Sequence, residues 1–199
     1  FASVFVDARV SERLVLRGGA FGNQRFGSDD SFDEARPVLA LIVGSRQSHL
    51  ILGTLDTFRR VRTAAEPGPD RTGPHGLLPP MQRETLAFER PWEAGMQWVL
   101  DMPRVKQEAW VHWQKLNTSD QREVFDAGLT SRIPLREALT MRGDVHLVHQ
   151  GGQLSASAAG PVADSVAAAI GVEAAGDVPP LDRLSLEGYA LVSRHVPDR

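Results

Sequence analysis

Several features are absent from this chain, and each absence excludes a class of protein. It contains no cysteine, which excludes disulfide frameworks, thiolate nucleophiles and cysteine-based metal sites. The formal net charge of -3 leaves no basic surplus, so we expect no nucleic-acid partner. Aromatic residues make up only 7% of the chain, with a single tyrosine. No apolar run in the sequence approaches the ~18 residues that a membrane-spanning helix needs.

The segment 136–149 instead alternates between apolar and polar residues. The apolar residues occupy odd-numbered positions, namely Leu139, Met141, Val145 and Leu147. The polar residues occupy even-numbered positions, namely Thr140, Arg142, Asp144 and His146. Because side chains alternate across a β-strand, this pattern predicts a long strand with one apolar and one charged face. Its length is about that of a tilted strand that crosses a bilayer.

Similar alternation along the chain predicts nine or ten strands joined as an up-and-down meander. The predicted strands are residues 4–10, 13–17, 38–45, 49–55, 93–100, 108–116, 122–129, 136–149, 164–174 and 184–193. The segment 164–174 would also suit a helix because of its alanines, but Gly171 and Val172 favour a strand.

The sequences between these strands predict where the chain turns. We expect a glycine-rich bend at 18–22, a loop at 22–36 and a turn at 131–135. The longest irregular stretch, 57–90, contains five prolines and is expected to form a loop at one rim of the fold. The chain begins with Phe1, so we interpret residues 1–199 as a single β-barrel domain, an incomplete segment of a longer chain.

Two architectures explain the alternation, and they differ in what the polar face meets. In a transmembrane β-barrel the polar side chains line the lumen and the apolar ones face lipid. In a soluble β-sandwich or jelly roll the polar face meets water. Strand length, and the contrast of short turns with long loops, favour an all-β antiparallel transmembrane barrel or a fragment of one. The residues predicted to line its lumen are Glu93, Gln97, His112, Gln114, Arg122, Asp126, Arg142, Asp144 and His146.

The charged face also carries side chains that could bind a metal ion or catalyse a reaction. His112 and His146 can share this face with Glu93, Asp126 and Asp144, and such a cluster could ligate Zn²⁺ or act as acid and base. The alternative is that these residues form ion pairs that hold neighbouring strands in register. We adopt the second interpretation, and so predict no catalytic residue, no metal and no cofactor.

Four short motifs stand between Gly18 and Gln153. They are Pro-His-Gly-Leu-Leu at 74–78, Arg-Pro-Trp-Glu-x-Gly-x-Gln-Trp at 90–98, Trp-x-x-Trp-Gln at 110–114 and His-Gln-Gly-Gly-Gln at 149–153. As a set they resemble motifs of a group of uncharacterised bacterial outer-membrane β-barrel proteins. The resemblance implies an outer-membrane location and a porin-like barrel, and it supplies no catalytic residues.

The predicted function follows from this architecture. We expect an outer-membrane β-barrel protein in contact with lipid, a porin-like channel or passive transporter for small solutes, and not an enzyme. The alternative is a soluble carbohydrate-binding protein in which sugars stack on Trp110 or Trp113. Any specific recognition is expected to use the loop 57–90, folded toward the lumen, with His75 and Arg90 as its candidate residues.

Overall fold

Ten antiparallel strands form one sheet in the computed structural model, which describes residues 1–24, 34–57, 74–82, 92–116, 118, 122–151 and 163–196. The strands are β1 (Ala2–Ser11), β2 (Leu14–Asn23), β3 (Glu34–Gly44), β4 (Ser48–Thr54), β5 (Ala94–Met102), β6 (Val105–Lys115), β7 (Glu123–Arg136), β8 (Leu139–Gly151), β9 (Ala163–Val178) and β10 (Leu181–Val196). Two short 3₁₀ turns, Pro74–Gly76 and Pro79–Met81, lie between β4 and β5. Within the described ranges, no helix has the length and apolar character to span a membrane.

The order of the strands decides the fold class. Each strand pairs with its neighbours in the sequence, so the sheet runs from β1 to β10 without a crossover. A β-sandwich or jelly roll needs two sheets whose strands pair out of sequence order, so that alternative is wrong. The predicted all-β antiparallel up-and-down meander is confirmed, and its strand order is that of a β-barrel or of a fragment of one. The ambiguous segment at 164–174 is a strand, within β9.

Two predicted interruptions of the strands are wrong, and a third, the loop at 22–36, is wrong at its ends. Strand β2 continues through the expected bend at 18–22, because it is paired on both sides and the ladders hold its glycines extended. Residues 34–36 of the expected loop at 22–36 belong to β3, and residues 25–33 lie outside the described part of the chain. The expected turn at 131–135 lies inside β7, where an irregularity in register after Pro134 accommodates a residue without an N–H.

The connections at the two ends of the sheet differ in length. At one end the strands are joined by the short turns 12–13, 45–47, 103–104, 137–138 and 179–180. At the other end the connections are the longer segments 24–33, 55–93, 116–122 and 152–162. We call this second end the long-loop end.

The two faces of the sheet also differ between β5 and β8. One face, which we call the inner face, is buried and carries Gln97, Val99, Glu108, Trp110, His112, Asp126, Arg142, Asp144 and His146. The outer face carries apolar side chains that are 36% to 42% exposed, namely Met96, Trp98, Trp113, Leu129 and Val145. The segment 74–82 contributes buried Leu77, Leu78 and Met81 to an apolar cluster with Trp110. This segment therefore packs on the inner face.

Candidate functional site

His75 joins the segment 74–82 to the inner face through both of its ring nitrogens. Nδ1 is hydrogen-bonded to Glu108 Oε1, and Nε2 lies 2.9 Å from Glu93 Oε2. The ring stacks on Trp110, with centroids 4.0 Å apart and an interplanar angle of 6°. Burial alone lowers the pKa of His75, but the charge of Glu93 and the hydrogen bonds to both carboxylates outweigh it and raise the pKa to about 10. His75 is therefore an imidazolium at neutral pH.

The backbone around His75 is also fixed. His75 has a φ of 56°, in the left-handed region that is uncommon for residues other than glycine. Its N–H donates to Thr57 O at 2.7 Å, and its carbonyl accepts from Thr130 Oγ1 at 3.3 Å. The next carbonyl, of Gly76, accepts from Arg142 Nη2. These contacts from neighbouring elements hold the strained residue in place.

Trp110 forms the floor of the site. Its ring lies over Gly128 of β7, where a Cβ atom would stand 2.3 Å from the indole, so glycine leaves the room that the ring occupies. The indole Nε1 donates to Asp126 Oδ1 at 3.2 Å, and the ring centroid lies 6.3 Å from that of His146. One side chain thus contacts the histidine above it and the carboxylate beside it.

His112 lies between two carboxylates. It is opposite Asp126 of β7, and Glu93 immediately precedes the neighbouring strand β5. His112 Nδ1 is 3.6 Å from both Glu93 Oε2 and Asp126 Oδ2, which is too long for a hydrogen bond. Asp126 Oδ2 also accepts from Gln114 Nε2 at 2.9 Å. Ligand atoms of the histidine and the two carboxylates all lie within 4.8 Å of one another, close enough to hold a metal ion.

A second charged cluster connects β8, β9 and β10. The Arg142 side chain is 2% exposed, and its Nη2 lies 2.8 Å from Asp144 Oδ2 while its Nη1 lies 3.2 Å from Glu173 Oε1. The Tyr189 hydroxyl donates to the same Glu173 oxygen at 2.8 Å. The backbone N–H of Leu78 donates to Asp144 Oδ2 at 3.3 Å. This cluster therefore also holds the segment 74–82.

The structure brings most of the predicted lumen-lining residues together on or beside the inner face. Those buried there are Glu93, Gln97, His112, Asp126, Arg142, Asp144 and His146, with Gln114 half-buried. Arg122 lies just before β7, outside the strand. The candidate loop residue His75 is at the centre of the cluster, whereas Arg90 lies outside the described residues. That these residues line a lumen stays a prediction.

Some residues of the cluster were not found from the sequence. Glu108 shares its parity with His112 on β6, so the alternation could have revealed it. Glu173 gave a weaker signal, because the alanine-rich segment 164–174, which also suits a helix, has no defined inner face. The sequence predicted that the loop around His75 folds toward the lumen, but not its individual hydrogen bonds, since these join His75 to Glu93 and Glu108, 18 and 33 residues away.

Comparison with known proteins adds a finding on activity. Residues 3–199 match the lipid A 3'-O-deacylase-type family, a family of outer-membrane β-barrel proteins. No curated protein matches the chain, and no solved structure does. The family is named for an enzymatic activity, so the prediction that the chain is not an enzyme is wrong. The error came from interpreting the buried histidines and carboxylates only as ion pairs between strands.

Proposed function

We propose, from the premise that this chain belongs to the lipid A 3'-O-deacylase-type family, that it is an outer-membrane esterase. Its substrate would be a lipid A-type glycolipid from which it releases an ester-linked acyl chain. Hydrolysis of an ester needs a nucleophile, a base that accepts its proton and groups that stabilise the developing charge. With water as the nucleophile, the buried cluster on the inner face offers a histidine beside carboxylates as the base and Arg142 as a cationic group.

The observation that carries the proposal is the position of His112 between Glu93 and Asp126. A histidine beside a carboxylate is the arrangement that general-base catalysis uses, because the carboxylate orients the ring and stabilises its charged form. His75 cannot take this role, since both of its ring nitrogens are bonded to carboxylates. We therefore assign the base to His112 and the orienting role to Asp126.

The position of the cluster along the strands suits a lipid substrate. Glu93 immediately precedes β5, His112 lies near the end of β6 and Asp126 near the start of β7. All three residues are thus close to the long-loop end. In outer-membrane barrels the long loops are extracellular, which is the side of the leaflet that contains lipid A. The exposed apolar side chains of the outer face support the membrane location.

The expected porin-like channel has less support. A passage for solutes needs open space along the inner face, but the segment 74–82 packs there with buried Leu77, Leu78 and Met81. Beneath this segment, Gln97, Glu108 and Trp110 are themselves buried. We therefore propose no transport function.

The test is hydrolysis by the full chain refolded into detergent micelles that contain lipid A. We expect release of a fatty acid, detected by mass spectrometry, and a rate at least ~100-fold lower for His112→Ala and Asp126→Asn, in the range that general-base catalysis contributes. His149→Ala is the matched control, because His149 pairs with Asp164 at 2.5 Å, away from the cluster. The proposal fails if the folded parent releases no fatty acid, or if His112→Ala hydrolyses at the parental rate.

A further inference from the structure

The outer face continues from β8 onto β9 and β10, and its ionisable side chains gather at one end. On this face the only ionisable residue of β8 is His149, that of β9 is Asp164, and that of β10 between residues 184 and 196 is Arg194. Side chains directly opposite each other in paired strands share a face. The register places His149 opposite Asp164, and Arg194 one row nearer the middle, opposite Val166. All three ionisable residues therefore lie together at the long-loop end.

An open groove of about 320 Å³ runs beside these three residues. Its apolar walls are Phe125, Leu147, Val166 and Val196. At its polar end, His149 Nδ1 lies 2.5 Å from Asp164 Oδ1, so that carboxylate already has a partner. Arg194 is exposed, and its guanidinium forms no ion pair with another residue in the described parts of the chain. The groove thus presents one cation beside an apolar wall.

Trp113 marks the level of the groove relative to the bilayer. It lies on the same row of the outer face, opposite Phe125, which is in turn opposite His149. Its ring is 42% exposed, and its Nε1 donates to Glu123 Oε1 at 3.0 Å. Tryptophans with an apolar ring and a bonded polar tip are typical of the boundary between acyl chains and headgroups. The groove therefore lies at the level of the lipid headgroups.

The remainder of this face suits acyl chains. From Val166 toward the short turns, the outward positions of β9 up to residue 174 are all alanine, valine or isoleucine. Ile170 and Val172 among them are exposed. A lipid whose headgroup occupies the groove would extend its acyl chains along this apolar strip.

We propose that the groove binds a phosphate-bearing lipid of the surrounding leaflet, with Arg194 as the partner of the phosphate. A guanidinium matches the geometry of a phosphate through two parallel hydrogen bonds. The long stem of an arginine can pack on the apolar wall while its charged end reaches the headgroup level. A small free anion would satisfy the cation but leave the apolar walls uncovered, whereas a lipid covers both.

This lipid site depends on the membrane location and not on the esterase activity. The groove opens on the outer face of β7 to β10, whereas His112 and Asp126 are buried on the inner face. The sheet itself separates the two sites. The lipid in the groove is therefore bound at the wall of the barrel and is not the molecule that the cluster would hydrolyse.

Lipid binding is tested on the full chain refolded in detergent, with native mass spectrometry to count the lipids that each chain retains. The micelles contain either phosphatidic acid or diacylglycerol with the same acyl chains, which lacks the phosphate. We expect one phosphatidic acid per chain and at least ~5-fold less diacylglycerol. Arg194→Gln should weaken retention of phosphatidic acid about 5-fold or more, the contribution of one cation close to anionic headgroups. Arg104→Gln is the matched control, since Arg104 is an exposed arginine in the turn 103–104 at the opposite end of the sheet.

Each outcome supports or overturns the lipid site, for variants whose strand content by circular dichroism equals that of the parent. Equal retention of the two lipids, or equal retention of phosphatidic acid by Arg194→Gln and Arg104→Gln, overturns it. Displacement of phosphatidic acid by an equal concentration of inorganic phosphate assigns the groove to a free anion and overturns the lipid. Retention that needs Arg194 supports the site even if the parent releases no fatty acid, which overturns only the esterase.

Discussion

At the scale of single residues, the inner face depends on charges that are buried in pairs. Arg142 contacts Asp144, Glu173 and the carbonyl of Gly76, with only 2% of its side chain exposed. Removal of one partner from such a pair leaves the other charge buried and uncompensated, which costs far more than the loss of an exposed pair. The pair of Arg36 and Glu34 is the exposed counterpart, with side chains 54% and 25% exposed.

We therefore predict that Arg142→Met lowers the free energy of unfolding by about 3–5 kcal/mol. The matched variant Arg36→Met should change it by less than about 1 kcal/mol, because solvent screens that pair. Urea titrations of the chain in lipid vesicles, followed by tryptophan fluorescence, measure both values. Equal effects of the two substitutions would contradict the burial of the Arg142 cluster.

A second residue-scale prediction concerns the fit of Trp110 over Gly128. A Cβ at Gly128 would stand 2.3 Å from the indole, whereas a Cβ at Gly143 of the adjacent strand would meet nothing within 4 Å. Gly128→Ala should therefore cost about 1–3 kcal/mol of stability through overpacking, and Gly143→Ala should be nearly neutral. The same urea titrations apply. A neutral Gly128→Ala would mean that Trp110 packs elsewhere.

At the scale of elements, alternation of side chains was enough to assign the faces of β5 to β8. Residues such as Gln97, His112 and Asp126 lie on the inner face because their parity requires it. The ends of the strands could not be predicted as well. Glycines in β2 normally signal a bend, but pairing on both sides of this strand overrides that local preference. Pro134 in β7 normally signals a turn, but it lies beyond the ladder with β6 and pairs with β8 alone, next to an irregularity in register.

The outer face gives an element-scale prediction with an internal control. Val145 lies near the middle of β8 and is 41% exposed, and Leu135 lies near the end of β7 and is 52% exposed. An arginine on the lipid face costs ~2–4 kcal/mol at the bilayer midplane and about 0–1 near the interface. Val145→Arg should therefore lower the yield of folding into vesicles much more than Leu135→Arg. Similar yields would argue against a bilayer around β7 and β8.

At the scale of the whole molecule, the barrel-type fold predicted from the sequence agrees with the structure. The open channel that was also predicted has no support. The alternation reports which residues share a face, but it contains no information on what packs against that face. His75 and its contacts belong to a segment far from β6 and β8 in the chain, so only the folded structure brings them together. For the same reason, a buried cluster of histidines and carboxylates was interpreted as strand-to-strand ion pairs.

The whole-molecule prediction is that the parent chain does not conduct ions in planar bilayers. The segment 74–82 packs on the inner face through Leu77, Leu78 and Met81, so the space for an aqueous path is occupied. Single-channel recording measures this directly, with an established porin in the same bilayer as the positive control. Regular conductance steps from the pure, folded chain would show that the segment leaves a path open.

The order of the strands has a consequence for how the molecule assembles. Each described ladder joins strands that are consecutive in the chain, but the ladders differ in the connection that they must close. Strands β5 and β6 are joined by the short turn 103–104, whereas β4 and β5 are separated by the long connection 55–93, which costs more loop entropy. Glu93, His112 and Asp126 meet as soon as β5, β6 and β7 are paired. The segment 74–82 needs β8 as well, through Arg142 and Asp144. The three-residue cluster therefore depends on fewer paired strands than the segment that covers it.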